Sequence, residues 1–167
     1  MKKLALFFLI FPFTGQAQTY GLSRLTDICS GSCNSVQAII SYKGLVYFAG
    51  TTAANGLGLY KSDGTVAGTV LVKELNSTDM TQNNNYATEG PVTANGIFYF
   101  GAKDNTSPGI KLWRSDGTAS GTYVLTGPTQ PTNIVELNGF VLFLGYDAVN
   151  GGELWRSDGT QAGTYLV

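Results

Sequence analysis

One run of residues occurs three times in this chain, and any fold it adopts has to accommodate all three in the same way. It reads Ser62-Asp63-Gly64-Thr65-Val66-Ala67-Gly68-Thr69, then Ser115-Asp116-Gly117-Thr118-Ala119-Ser120-Gly121-Thr122, then Ser157-Asp158-Gly159-Thr160-Gln161-Ala162-Gly163-Thr164. A glycine-opened apolar run precedes each: Gly44-Leu45-Val46-Tyr47-Phe48, Gly96-Ile97-Phe98-Tyr99-Phe100 and Gly139-Phe140-Val141-Leu142-Phe143. The repeated unit is therefore much longer than the turn. The first interval exceeds the second, and the excess falls in the polar stretch Asn76 to Gly90, which reads as a loop insertion. The copies span residues 36–87, 88–131 and 132–167, the last incomplete, so further repeats of the same protein are expected.

Aspartate followed by glycine is a strong turn pair. The carboxylate accepts backbone N–H groups two residues on, and glycine takes a positive φ without a Cβ clash. Ser62, Asp63, Gly64 and Thr65, with Ser115, Asp116, Gly117 and Thr118 and with Ser157, Asp158, Gly159 and Thr160, are read as structural turns. The second glycine of each run (Gly68, Gly121, Gly163) is read as permitting one more bend.

Between turns the chain is rich in β-branched and aromatic residues and lacks a sustained period of 3.6, so each copy predicts four short strands and almost no helix. In the third copy these are Asn133 to Leu137, Phe140 to Tyr146, Glu153 to Ser157 and Tyr165 to Val167. Runs such as Leu45-Val46-Tyr47-Phe48 are apolar at consecutive positions, which predicts a strand covered on both faces. Tyr60, Trp113 and Trp155 occupy equivalent positions, as do Phe48, Phe100 and Phe143, and these six are assigned to packing between units. The predicted fold is all-β: tandem four-stranded antiparallel blades forming a partial, truncated propeller of three blades.

Ahead of the repeats, Lys2 and Lys3, the apolar stretch Leu4 to Phe13 and Gly15-Gln16-Ala17 read as an export signal over residues 1–17. Residues 18–35 supply an N-terminal strand, Arg24 to Ile28, and a Cys-Ser-Gly-Ser-Cys loop in which Cys29 and Cys33 are candidates for a disulfide. The expected location is secreted or on a bacterial cell surface. No later stretch is long and apolar enough for a transmembrane helix. With 10 Lys+Arg against 11 Asp+Glu, the chain has no basic stripe to suit nucleic acid.

Lys111-Leu112-Trp113-Arg114-Ser115-Asp116-Gly117-Thr118 and Glu153-Leu154-Trp155-Arg156-Ser157-Asp158-Gly159-Thr160 resemble the bacterial family known by the repeat ELWxxDGT. The third copy matches the full motif. The second has Lys111 for the leading glutamate, and the first has Gly58-Leu59-Tyr60 where Glu-Leu-Trp would stand. The resemblance covers about Val36 to Val167 and implies an exported protein with tandem propeller-like repeats, often followed by a C-terminal sorting module.

The chain has no histidine, which removes Ser-His-Asp and Cys-His catalysis and histidine-based zinc sites. Acids are concentrated at repeat positions and in polar loops, with no unique pair. The expected function is an adhesin-like binding or structural scaffold without catalysis, not an enzyme. The alternative is a fragment of a propeller-type glycan-active enzyme using a carboxylate pair. A glycan or protein ligand would meet the loops that vary between copies: Thr51 to Gly56, Lys103 to Gly109 and Asp147 to Gly152. Asp104, Asn105, Asp147 and Asn150 offer oxygens there. No cofactor is expected apart from calcium as an open option, since one aspartate per turn is too few to hold it.

Overall fold

A computed structural model describes residues 36–52, 56–76, 90–106 and 109–167. The export signal, the strand at Arg24 to Ile28, Cys29, Cys33 and most of the insertion lie outside the described residues. The described chain is all-β, with no helix, as the composition predicts. No helix among these residues is long and apolar enough to cross a membrane.

Strands β1 (Gln37–Tyr42), β2 (Leu45–Thr52), β3 (Gly56–Ser62) and β4 (Val70–Asn76) form a four-stranded antiparallel sheet in chain order. The other strands are β5 (Val92–Ala94), β6 (Ile97–Lys103), β7 (Ile110–Ser115), β8 (Tyr123–Leu137), β9 (Phe140–Asp147), β10 (Gly151–Ser157) and β11 (Tyr165–Leu166). They form one seven-stranded sheet, also in chain order.

The first hairpin of each copy turns in two residues. Tyr42 pairs with Leu45, Ala94 with Ile97 and Leu137 with Phe140. The turn residues Lys43, Asn95 and Asn138 sit at φ of 49°, 46° and 52°, and each is followed by a glycine at positive φ. Two successive left-handed residues make a type I′ turn, whose twist suits antiparallel strands. The opening glycine of each apolar run is the second residue of that turn.

The third copy's first strand differs from expectation. Asn133 to Leu137 is the end of β8, which starts at Tyr123 and serves two copies. Its early residues pair with β7 (Arg114 with Tyr123, Trp113 with Val124) and its later ones with β9 (Val135 with Leu142, Glu136 with Val141). The register slips on both sides, and Gly127, Gln130 and Asn133 all have positive φ. Bulges of this kind bend a strand. The bend has a visible consequence: Ala94 of β5 and Val141 of β9, far apart in strand order, lie in one buried cluster with Tyr99, Leu112, Leu125, Ile134 and Phe143.

A second cluster joins the two sheets. Tyr42, Tyr47, Ala49, Leu57, Leu59 and Leu75 pack on Phe98, Phe100, Ala102 and Trp113. Alternation then explains why β6 is without a charge from Ile97 to Ala102: Phe98, Phe100 and Ala102 face the first copy, whereas Tyr99 faces the third. Strands β2 and β6 are buried at consecutive positions accordingly. Strand β9 alternates instead, with Val141, Phe143 and Gly145 buried and Leu144 and Tyr146 exposed. Coverage of both faces therefore holds in the first two copies and fails in the third.

Candidate functional site

The repeated turns join β3 to β4, β7 to β8 and β10 to β11, and each is held by the same hydrogen bonds. In the second copy the Gly117 N–H donates to Ser115 Oγ at 3.0 Å, and Ser115 Oγ lies 2.7 Å from Thr122 Oγ1. Thr122 Oγ1 donates its one proton to the Thr118 carbonyl at 2.6 Å, so the serine hydroxyl must donate to the threonine. A second relay runs beside it. The Gly121 N–H donates to Thr118 Oγ1 at 3.0 Å, and both the hydroxyl and the N–H of Thr118 donate to Asp116 Oδ1, at 2.7 and 2.9 Å. The first and third copies repeat both relays with closely similar distances.

The final threonines Thr69, Thr122 and Thr164 thus belong to the turn, although they were not singled out from the sequence. Their recurrence in all three copies was the available signal. The second glycine also has a different reason from the bend first assigned to it. A Cβ at Gly68, Gly121 or Gly163 would stand 1.9, 2.1 or 2.0 Å from a carboxylate oxygen of the turn aspartate. The carboxylate lies over a bare backbone, so glycine is required by space. None of the three has positive φ.

The same contacts set the charge of the turns. The Thr65 hydroxyl and N–H hold Asp63 below the ordinary carboxylate range, and those of Thr160 do the same for Asp158. For Asp116 partial burial pushes upward, but the Thr118 hydroxyl and N–H, with Arg114 beside it, bring it below that range. The nearest approach of Arg114 is 3.8 Å.

The six aromatic positions form three cross-strand pairs in register: Phe48 with Tyr60, Phe100 with Trp113 and Phe143 with Trp155. Phe100 and Trp113 stack 6.3 Å apart inside the interface between first and second copies, and the indole N–H donates to the Ala102 carbonyl at 3.2 Å. Phe143 and Trp155 belong to the cluster between second and third copies, with Trp155 only partly buried. Phe48 and Tyr60 stack 5.8 Å apart, buried on the face of the first sheet that points away from the second copy. Tyr47 and Leu59 supply the packing on the other face.

The variable loops join β2 to β3, β6 to β7 and β9 to β10. Antiparallel order puts these three at the opposite strand ends from the Ser-Asp-Gly-Thr turns. Residues 53–55 and 107–108 lie outside the described set. Asp104 is buried, and its carboxylate accepts from the N–H and hydroxyl of Thr106 at 2.9 and 3.1 Å. Its carbonyl takes a 2.7 Å bond from Asn76 Nδ2, while Asn105 is exposed. Asp147 Oδ1 accepts the N–H groups of Val149 and Asn150, and Oδ2 accepts the Asn150 amide at 3.0 Å. The Asn150 side chain and N–H and the Val149 N–H outweigh a small burial effect, so Asp147 is held below the ordinary carboxylate range. Asp147 and Asn150 close their own turn. Among the described residues, no three acids, thiols or histidines lie close enough to hold a metal ion.

No family model matches the sequence, and no curated protein matches it. One solved structure that it resembles is the crystal structure of a thermostable family-43 glycoside hydrolase. The identity is 15% and the TM-score 0.37, over 79% of this chain and 50% of that one. The chain thus spans half of that protein's length. With a glycoside hydrolase as the matched structure, the expectation that this chain is not an enzyme is overturned and is not retained.

Proposed function

We propose that this chain is a secreted or cell-surface repeat scaffold of the ELWxxDGT type, with units arranged as blades of a partial propeller that present loops to a glycan or protein ligand. The observation that carries the reading is the division of labour between the two ends of the strands. At one end, three turns of near-identical sequence use their Ser, Asp and Thr side chains on their own backbone. At the other end, three connections differ in sequence, and Asn105, Val149 and Asn150 stand exposed there. Repeats commonly keep structural positions constant and vary the loops of one face for recognition.

The test is a glycan array and a panel of extracellular matrix proteins, probed with the full chain and with Asn105→Ala and Val149→Ala. A ligand on this face loses affinity in one or both variants while melting stays unchanged. Binding indifferent to both variants, or no binding across both panels, refutes the reading. Export is checked separately by N-terminal sequencing of protein recovered outside the cell, with Gln18 expected first.

A further inference from the structure

The outer strand of the first copy, β4, returns toward the end of the sheet where the variable loops lie. Its last residue, Asn76, pairs opposite Leu57, just past the β2–β3 loop, and its side chain is buried. The amide leaves its own copy: Asn76 Nδ2 donates at 2.7 Å to the Asp104 carbonyl, where the β6–β7 loop of the second copy begins. One residue thus meets the end of one variable loop with its backbone and the root of the next with its side chain. Packing alone would favour an apolar side chain here, because a buried amide has to find partners to offset its desolvation.

The second copy repeats the device with a different side chain. Thr129 of β8 pairs opposite Lys111, just past the β6–β7 loop. Its methyl lies against Gly109 at the end of that loop, where an added Cβ would stand 3.2 Å from Thr129 Cγ2. Its hydroxyl donates at 3.1 Å to the Tyr146 carbonyl, one residue before Asp147, at the root of the β9–β10 loop of the third copy. Asp104 and Asp147 hold the same place in their copies, four residues after Phe100 and Phe143. Each folds its carboxylate over the N–H two residues on, that of Thr106 at 2.9 Å and that of Val149 at 2.7 Å. These two loop roots are therefore fixed twice, from within by an aspartate and from outside by the copy before.

We infer that Asn76 and Thr129 are positioning residues that lock neighbouring variable loops into one surface, so that the shape of each loop is set by the copy before it as well as by its own sequence. A ligand on this face meets Asn105 and Val149 on loops held jointly by adjacent copies, and a change in the outer strand of one copy alters the loop of the next. The bearing on recognition rests on the reading of these loops as the ligand face, whereas the locking itself is a property of the free protein.

The test is amide hydrogen exchange of the full chain, resolved by NMR without any ligand, in Asn76→Ala and Thr129→Val. Asn76→Ala should speed exchange of the Thr106 N–H by about 10-fold, as the loss of one hydrogen bond of ordinary strength does, and leave the Thr118 N–H at the opposite strand ends within about twofold. Thr129→Val keeps the shape of a half-buried side chain and should speed the Val149 N–H by about threefold. Leu75→Val is the control, since Leu75 is buried in the same interface beside Asn76 but is apolar; it should lower Tm without singling out Thr106. Thr106 exchange that is unchanged in Asn76→Ala, or raised as much by Leu75→Val for the same fall in Tm, makes Asn76 an ordinary interface residue and overturns the inference. An unmoved Val149 N–H in Thr129→Val overturns it too, and that arm decides alone if Asn76→Ala does not fold. Exchange effects as expected, with no binding across the glycan and protein panels, uphold the locking and sink the ligand reading only.

Discussion

Replacing Gly121 by alanine isolates the least visible element of the repeated turn. The new Cβ would lie 2.1 Å from both carboxylate oxygens of Asp116, more than 1 Å inside ordinary contact, so the carboxylate has to leave. Leaving forfeits the bonds from the Thr118 N–H and hydroxyl. Both are at the surface, and at about 0.5–1.5 kcal/mol each the loss is about 1–3 kcal/mol. Alanine also restricts the unfolded chain, which returns about 0.4–1 kcal/mol. The net destabilisation is about 1–2 kcal/mol, a fall in Tm of about 2–8 °C for a domain of this size. Thermal and urea unfolding measure it. The decisive comparison is with Asp116→Ala, alone and combined with Gly121→Ala. Without the carboxylate the alanine meets nothing, so the double variant should be no less stable than Asp116→Ala. If the two losses instead add to within about 0.5 kcal/mol, the steric explanation of the second glycine is wrong.

Thr122→Val keeps shape but strands the Ser115 hydroxyl and the Thr118 carbonyl, and should cost about 1–3 kcal/mol in urea unfolding. Tyr99→Phe removes a buried hydroxyl that has no partner among the described residues, so stability at neutral pH should hold or rise slightly. Burial pushes Tyr99 up to about 12, above its unfolded value, so the folded state gains nothing from its ionisation between about pH 10 and that point. The wild type should therefore lose stability across that window, and Tyr99→Phe should lose less, as read from melting against pH. The turn aspartates shift in the other direction. With folded values below the unfolded ones, their contribution is complete above about pH 4–5 and disappears as pH falls through the folded values. A triple Asp→Asn variant at positions 63, 116 and 158 should show a shallower acid slope in Tm.

Much of the fold could be read from residues that recur. Asp-Gly pairs place the turns, the glycines opening each apolar run mark tight hairpins, and uninterrupted stretches such as Phe98-Tyr99-Phe100 require packing on both faces. Local pattern was silent where the cause lay elsewhere in the chain. Nothing in Tyr123 to Leu137 announces one strand in place of two, because Gly127-Pro128 reads as a break and pairing to both neighbours overrides it. The clash between Gly121 and Asp116 depends on a side chain folding back over the turn, which spacing alone does not reveal. The loop acids were legible as oxygen-bearing residues. That Asp104 and Asp147 commit carboxylate oxygens to adjacent backbone emerges only from the folded loops.

Strand β8 makes the second and third copies mechanically one object. Load applied to either half travels through a continuous ladder, whereas among the described residues the first copy, in a separate sheet, grips the second through side chains. Side-chain contacts part by sliding, and ladders by breaking several bonds at once. A molecule anchored at one end and tugged at the other would shed its first copy while the remaining pair stayed locked together.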